Sequence, residues 1–178
     1  DAKRRLPHSM SSQVVNVVFA GLGGQGVLKA SNILAQVAFA SGKAVKKSEL
    51  HGMSQRGGSV SSDVRFGEEV FSPMVPDGDA DYLVVLTLEE VENNRRHLRR
   101  EGVLVTPEAI AVDNLPHPRS LNIALLGVLS KHLPFSREAW LTAIRASLPE
   151  KVHEINVKAF DMGRSGQPTS ADSPAMRG

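Results

Sequence analysis

The sequence predicts an α/β protein: a three-layer, Rossmann-like, mostly parallel sheet with a β-hairpin insertion and C-terminal helices. Three observations predict this fold. A β-branched run at 14–20, "VVNVVFA", leads through a glycine-rich turn into an amphipathic segment. A second apolar run at 82–87, "YLVVLT", is typical of a buried parallel strand. The last third of the chain has helical spacing, and 178 residues, 41% of them hydrophobic, suffice for one substantial core.

The first half of the chain predicts a strand, a helix, a second strand and a hairpin. Beyond Gln25, apolar residues recur at three-to-four spacing until Gly42, which predicts a helix with a glycine C-cap. Residues 43–47 predict the second strand. Alternating apolar residues at 60–66 predict a strand that turns back and pairs with residues 69–71 as a β-hairpin.

The second half predicts mainly helices. Residues 88–100 carry acids early and arginines late, the order that the helix dipole favours, and they predict a helix after the strand at 82–87. Residues 103–106 predict a short strand that ends at a proline. Ser136 is a predicted N-cap. Three helices are predicted towards the C-terminus, at 121–132, 136–148 and 149–160.

A single domain is predicted over residues 14–163. Residues 1–13 are expected to form a flexible N-terminal extension, in which Met10 is a candidate natural start and residues 1–9 are candidates for vector-derived sequence. Residues 164–178 are polar and rich in Pro, Ser and Gly, which is typical of a flexible tail.

Composition excludes several classes of function. The chain contains no cysteine, so it supplies no thiolate ligands for iron–sulfur clusters or zinc and no cysteine nucleophile. Aromatic residues make up 4% of the chain, which is poor supply for stacking on single-stranded nucleic acid. No apolar run approaches the length of a membrane span, and no signal-type segment follows the basic start. We therefore expect no nucleic acid, no membrane and a cytoplasmic location.

The glycine-rich turn "GLGGQG" at 21–26 has the G-x-G-x-x-G pattern between a predicted strand and a predicted helix. Glycines permit a tight turn and close approach of the backbone to a ligand, and the free amides at the start of a helix attract anions. The turn therefore predicts either a phosphate-bearing ligand or a tight connection without a ligand.

NAD is disfavoured as that ligand. A dinucleotide site places an acid about 20 residues beyond the glycine motif, where it holds the ribose hydroxyls. This chain has Lys46 and Lys47 there, and Glu49 arrives late. The lysines suit a more highly phosphorylated ligand, and they are equally typical of a solvated sheet edge.

A second polar segment, the decapeptide "ELHGMSQRGG" at 49–58, has neither helical nor strand periodicity. Arg56 offers a planar fork for a carboxylate or phosphate, and Gly57 and Gly58 permit close approach of the backbone. His51 is a candidate general acid or base, or a surface histidine. The histidines have no metal-binding spacing with carboxylates, so no metal site is predicted.

Several strings together resemble the beta subunit of indolepyruvate:ferredoxin oxidoreductase, which is equivalent to the gamma domain of 2-oxoacid:ferredoxin oxidoreductases. The resemblance runs from about Asn16 to Gly163. It is carried by five strings in order: "GLGGQGVLKASNILAQVA", "KKSELHGMSQRGGSVSSDVRFGEEVFSP", "GDADYLV", "LNIALLG" and "NVKAFDMG".

This resemblance implies a complex that converts arylpyruvate and coenzyme A to aryl-acetyl-CoA, CO2 and reduced ferredoxin. It implies that thiamine diphosphate and the iron–sulfur clusters belong to a catalytic alpha subunit, that ferredoxin is reached through the complex, and that this chain is a non-redox subunit, inactive alone. Coenzyme A is a candidate shared ligand. The matching candidate binding residues are Gly21, Gly23, Gly24, Gln25, Gly26, Gly52, Ser54, Gln55, Arg56, Gly57 and Gly58.

Our hypothesis is that Arg56, the loop glycines and the amides of residues 21–26 face the partner's thiamine site. There they bind coenzyme A phosphates or the 2-oxoacid carboxylate. A purely structural role at the subunit interface is the alternative for the same residues. A stand-alone nucleotide- or CoA-binding regulatory module is the alternative function, and an independent NAD(P) dehydrogenase is disfavoured by the missing ribose acid.

Overall fold

The computed structural model of the chain describes residues 13–51 and 57–166. The predicted terminal extension therefore lies almost entirely outside the described residues, as does most of the predicted tail. The strands are β1 (Val15–Leu22), β2 (Ala44–His51), β3 (Ser59–Gly67), β4 (Ala80–Val85) and β5 (Leu98–Val105). The α-helices are α1 (Val27–Ala40), α2 (Val91–Asn94), α3 (Leu121–Ser130), α4 (Arg137–Ser147) and α5 (His153–Ser165).

The five strands form one open sheet in the order β2-β3-β1-β4-β5. The predicted α/β class is confirmed, but the sheet is mixed and not mostly parallel. Strand β1 pairs parallel with β4, and β4 with β5, whereas β3 is antiparallel to both β1 and β2. The reason is the short return from β2 into β3, which leaves no room for the crossover that a parallel pair requires.

The predicted hairpin between residues 60–66 and 69–71 is wrong: residues 60–66 form a strand, but residues 69–71 do not pair with it. Strand β3 pairs along its length with β2, from Ala44 opposite Gly67 to His51 opposite Val60. The segment after β3 leaves the sheet because two β3 side chains hold it elsewhere. Arg65 donates to the carbonyls of Ser72 and Met74, and Asp63 accepts the Val75 amide at 2.9 Å.

The predicted helix over residues 88–100 was also wrong. Two 3-10 turns, Leu88–Glu90 and Arg95–His97, flank the four-residue α2, and β5 already begins at Leu98. The charge order favoured a helix, but pairing of Leu98 with Ala80 on β4 extends the last strand backwards through the arginines. Tertiary pairing therefore overrides a weak local preference.

The main core lies between one face of the sheet and helices α1, α3, α4 and α5. Its fully buried side chains include Phe19, Leu34, Leu125 and Trp140. The opposite face has a smaller core, in which Val18 and Leu83 pack with Val75 and Val91 from the loop and helical turns. The third layer is thus present, but it consists of short turns.

The three predicted C-terminal helices are confirmed, with α5 extending to Ser165. Ser136 caps α4 as predicted, since its hydroxyl accepts the Ala139 amide at 3.1 Å. Helices α3 and α5 cross closely where Gly127 faces the carbonyl of Phe160 and Gly163 faces the carbonyl of Ala124. Within residues 13–51 and 57–166, no helix has both the length and the apolar character needed to cross a membrane.

Candidate functional site

The candidate site lies at the edge of the sheet where β1, β2, β4 and β5 end and β3 begins. Strands β1 and β4 are neighbours, but the chain leaves them towards opposite faces. Helix α1 packs on the main core, whereas Val91 in α2 packs on the smaller one. Such a divergence opens a crevice at the carboxyl ends of the two strands, where open α/β sheets bind their ligands.

The glycine-rich turn forms one wall of this crevice. Gly24 and Gly26 have φ of 87° and 83°, values that other L-residues adopt only with strain. At Gly21 the constraint is steric, since a Cβ there would approach Cγ2 of Val27 to 3.0 Å and Cβ of Leu86 to 3.2 Å. The motif therefore combines two backbone requirements with one steric requirement.

Three amides in and beside the turn already have protein partners. The side-chain oxygen of Gln25 accepts the Leu22 amide at 2.7 Å, and the Gln25 amide donates to the Leu22 carbonyl at 3.2 Å. The Gly23 amide donates to the carbonyl of Gly58 at 2.9 Å. Among the residues that the structure describes, the amides of Gly24 and Gly26 have no such partner, so they are the turn's candidate donors to an anion.

The end of the decapeptide meets the glycine turn directly. Besides the hydrogen bond to Gly58, a Cβ on Gly23 would lie 3.3 Å from the amide nitrogen of Gly57. Gly57 has a φ of 81°. The structure thus brings together Gly23, Gly57 and Gly58. The other decapeptide candidates, Gly52, Ser54, Gln55 and Arg56, lie outside the described residues.

His51, the last residue of β2, lies beside the glycine turn. Both line a cleft of about 420 Å³ whose other lining residues include Lys29 and Val60, and none of the lining residues that the structure describes is acidic. The side chain of His51 is 60% exposed, and its Nε2 lies 3.9 Å from Oε2 of Glu49. Lys29 also donates to the Ser147 carbonyl at 3.1 Å, and Glu49 lies behind His51, so the amides of Gly24 and Gly26 are the main groups that favour an anionic ligand here.

Lys47 binds Glu49, the acid beside His51. Its ammonium donates to Glu49 at 2.9 Å and also to the side-chain oxygen of Asn32 on α1. The hydrogen bond from Lys47, followed by its charge, lowers the pKa of the Glu49 carboxyl. Lys47 is therefore engaged within the protein, and Glu49 stays ionised beside His51.

Sequence reasoning missed Glu90 at this edge. Its carboxylate is buried, and it accepts a hydrogen bond from the Ser59 hydroxyl at 2.9 Å, at the start of β3. The Asn94 side chain donates to the Glu90 carbonyl at 2.8 Å. The available signal was an acid placed directly after a buried strand, at the end where ligands bind.

Asn122 was also missed. It is buried at the start of α3, and its amide nitrogen donates to the Gly26 carbonyl at 3.3 Å. The residue stands within the string "LNIALLG", where its polar side chain interrupts an apolar run. Asn122 therefore fixes the glycine turn from the helical side.

The described residues contain no group of three or more His, Asp or Glu side chains arranged to hold a metal ion. The chemistry of the site consists instead of backbone amides, glycine loops and basic side chains. Such a site suits recognition of an anionic group at a sheet edge.

An open α/β sheet whose glycine turn and second polar loop meet at a divergence of strands defines a Rossmann-like ligand-binding domain. The chain belongs to the pyruvate ferredoxin/flavodoxin oxidoreductase family, which it matches over residues 16–166. It is 34% identical to indolepyruvate oxidoreductase subunit IorB of Thermococcus kodakarensis, over 83% of this chain and 93% of that protein. Identity to the IorB subunit of Methanothermobacter thermautotrophicus is 31%, over 89% and 98% of the two chains.

A solved structure supports the same assignment. The fold matches the gamma subunit of a keto/oxoacid ferredoxin oxidoreductase from Geobacter sulfurreducens with a TM-score of 0.72 and 27% identity. The match covers 85% of this chain and 96% of that one. The resemblance drawn from the sequence strings is confirmed, and so is the prediction that the chain is a subunit of this class of oxidoreductase.

Proposed function

We propose that the chain is the subunit without redox cofactors of a 2-oxoacid:ferredoxin oxidoreductase that acts on arylpyruvates such as indolepyruvate. Its glycine turn and decapeptide bind an anionic group, either coenzyme A phosphates or the 2-oxoacid carboxylate, where the subunit meets its partner. The partner is a catalytic alpha subunit that holds thiamine diphosphate and iron–sulfur clusters, and ferredoxin accepts electrons from the complex. The names of the relatives at 31–34% identity support indolepyruvate as the substrate.

The observation that carries the proposal is the hydrogen bond from the Gly23 amide to the Gly58 carbonyl. It joins the two motifs that sequence reasoning had singled out separately. Because the bond lies at the carboxyl edge of the sheet, the two glycine segments form one continuous surface where ligands of open α/β sheets bind. Gly24 and Gly26 then contribute amide donors, and His51 and Lys29 contribute positive or polar groups.

The composition of the chain supports a complex in which the partner subunit carries the redox cofactors and this subunit does not. With no cysteine, this subunit supplies no thiolates to an iron–sulfur cluster, so the clusters require a partner chain. What the chain offers is a sheet edge with backbone amides that favour an anion. Electrostatic positioning of a charged substrate is a contribution that such an edge makes without redox chemistry of its own.

The test is steady-state kinetics of the reconstituted complex with Arg56→Ala. We expect the KM for coenzyme A or for the arylpyruvate to rise about tenfold or more, since a charge-assisted hydrogen bond to an anion is lost. Arg145→Ala is the matched control, because this arginine lies in the last turn of α4 and outside the cleft. Unchanged constants for both substrates in Arg56→Ala would contradict direct binding.

Two further measurements separate the alternatives. The isolated chain is expected to show no turnover and no iron–sulfur absorbance, and to regain activity only with the partner. Calorimetry of the isolated chain with coenzyme A, ATP and NADPH tests the stand-alone module. Micromolar binding without a partner, together with no effect of the chain on the partner's turnover, would favour that module over the subunit.

A further inference from the structure

A second cavity, of about 310 Å³, lies on the helical side of the molecule. It is bounded by the turn that precedes α3 and by the segment that joins α4 to α5. It shares no lining residue with the cleft beside the glycine turn. Four aliphatic side chains form much of its wall: Ile123, Leu148, Val152 and Ile155. The volume is that of a small-molecule site, and the aliphatic wall favours an apolar ligand body.

The remaining lining gives the cavity a distinct charge. His117 and Arg119 both line it, and no acidic residue of the described part of the chain does. Nδ1 of His117 accepts the backbone amide of Arg119 at 3.1 Å. As an acceptor, Nδ1 carries no proton, so the ring proton is on Nε2, which makes that nitrogen a donor. Within residues 13–51 and 57–166, Arg119 takes part in no ion pair.

Two buried asparagines line the cavity. Asn156 donates to the Val152 carbonyl at 2.8 Å, and Asn122 donates to the Gly26 carbonyl at 3.3 Å. Both side chains are about nine-tenths buried. The Asn122 bond ties the α3 wall to the glycine turn, whereas the Asn156 bond orders the start of α5 locally. Both walls thus have defined side-chain positions, which favours a pre-formed site.

We propose that this cavity binds small carboxylates with an apolar body, of the size of a phenyl- or branched-alkyl-substituted propionate. The aliphatic wall takes the apolar body, and Arg119 and the Nε2 proton of His117 take the carboxylate. A planar guanidinium matches the two carboxylate oxygens geometrically. A cation would be repelled by Arg119, and a neutral ligand would lack the charge-assisted hydrogen bond that a carboxylate makes to this exposed arginine. This proposal stands on the cavity alone and does not depend on the proposed function.

The test is an NMR titration of the isotope-labelled full chain with 3-phenylpropionate, phenethyl alcohol and phenethylamine. We expect saturable binding of the carboxylate with a Kd of about 1 mM or tighter, which is reasonable for a ligand of this size. Amide signals of Ile123, Val152 and Ile155 should shift, and those of Gly24 should stay in place. The neutral alcohol and the amine should bind at least about tenfold more weakly, as a lost charge-assisted hydrogen bond implies.

Arg119→Gln removes the charge from an exposed side chain and should weaken 3-phenylpropionate binding about tenfold. Arg145→Gln is the matched control and should leave binding unchanged. Val152→Phe fills the cavity from a half-buried position and should abolish binding with little change in Tm. Any of four results would overturn the proposal. The alcohol could bind as tightly as the carboxylate, or the shifts could be confined to the glycine turn. Both arginine variants could lose affinity equally, or binding of 3-phenylpropionate could fail to saturate at about ten times the expected Kd (~10 mM).

Discussion

The amide of Gly23 donates to the carbonyl of Gly58 at 2.9 Å, and this bond joins the glycine turn at 21–26 to the decapeptide at 49–58. A Cβ on Gly23 would crowd the backbone of Gly57 at 3.3–3.4 Å. Gly57 has a different constraint, because its φ of 81° is one that other residues adopt only with strain. The glycine turn therefore needs Gly23 for close approach of the other segment, whether or not a ligand is bound.

Substitution of Gly26 by alanine tests how the glycine turn is held. Its φ of 83° costs alanine about 1–2 kcal/mol. In addition, the new Cβ would overlap with the side chain of Asn122 and displace its hydrogen bond to the Gly26 carbonyl, which costs about 1 kcal/mol more. We expect urea unfolding to show that Gly26→Ala is less stable than Gly24→Ala, the alanine variant of the other positive-φ glycine in the turn.

Gly24→Ala is the matched control. Gly24 has nearly the same φ, 87°, but nothing lies within 4 Å of a Cβ added there. The difference between the two variants therefore isolates the Asn122 contact. In an Asn122→Ala background this difference should shrink. Equal destabilisation of Gly24→Ala and Gly26→Ala in the wild-type background would show that backbone conformation alone governs the turn.

The hydrogen bond from exposed Ser59 to buried Glu90 predicts a measurable coupling. Glu90→Ala removes the acceptor of the Ser59 hydroxyl, which can then bond to water, and should cost about 0.5–1.5 kcal/mol in unfolding free energy. Glu90→Gln keeps an acceptor and should cost less. A double-mutant cycle with Ser59→Ala should give a coupling of about 1 kcal/mol, since the residues are in contact. Strictly additive single-variant costs would show that the hydrogen bond contributes nothing.

Much of the fold could be predicted because periodicity reports burial, and burial decides strands and helices. Strand β1, helix α1 and the three C-terminal helices follow directly from that signal. Strand partners do not, because the alternation in β3 is the same whichever strand lies beside it. The choice of β2 over residues 69–71 depends on Arg65 and Asp63, whose polar bonds hold the following segment away from the sheet.

The candidate site was predictable in part for a related reason. Glycines mark positions where the backbone is constrained, so Gly23, Gly24, Gly26 and Gly57 could be recognised from the sequence. Glu90 could not, because its importance comes from burial against Ser59, and a charged residue in a helical turn is usually solvated. A contact between two polar residues far apart in the sequence changes the periodicity of neither segment, so it cannot be predicted from hydrophobic patterning.

The strings "LNIALLG" and "NVKAFDMG" each end in a glycine, and the structure gives both glycines a packing role. A Cβ on Gly163 would overlap with the Ala124 carbonyl of α3, and one on Gly127 with the Phe160 carbonyl of α5. These obstacles are backbone atoms, so the helices must separate. We expect Gly163→Ala to lower the unfolding free energy by about 2 kcal/mol, because overpacking costs about 3 kcal/mol and better helix propensity returns about 1.

The control for Gly163→Ala is Lys158→Ala, on the exposed face of the same helix. Lys158 forms an ion pair with Glu154 at 3.1 Å, and its side chain is 66% exposed. Loss of such a pair changes stability by less than about 0.5 kcal/mol. A cost for Gly163→Ala no larger than for Lys158→Ala, measured by urea unfolding, would contradict close approach of α3 and α5.

The ion pair between Arg137 on α4 and Asp161 on α5 predicts a pH-dependent contribution to stability. Two hydrogen bonds of 2.7 Å join the guanidinium to the two carboxylate oxygens. The hydrogen bond from Arg137 lowers the pKa of Asp161 below its unfolded value. A depressed carboxyl pKa gives stability that is fully present above the unfolded pKa, near 4, and is lost as pH falls through the folded pKa.

Asp161→Asn removes this contribution with little change in shape. Because both partners are about two-fifths exposed, solvent screening limits the expected loss to about 0.5–1 kcal/mol at pH 7. The loss should be the same at pH 5 and should decrease as the pH falls through the folded pKa of Asp161, because the wild-type carboxyl then becomes protonated too. In an Arg137→Ala background Asp161→Asn should have little effect at any pH. Urea unfolding at pH 7, 5 and 3 measures the stability that Asp161→Asn loses, in the wild-type and the Arg137→Ala background. A loss that does not change with pH would contradict the linkage between stability and ionisation of Asp161.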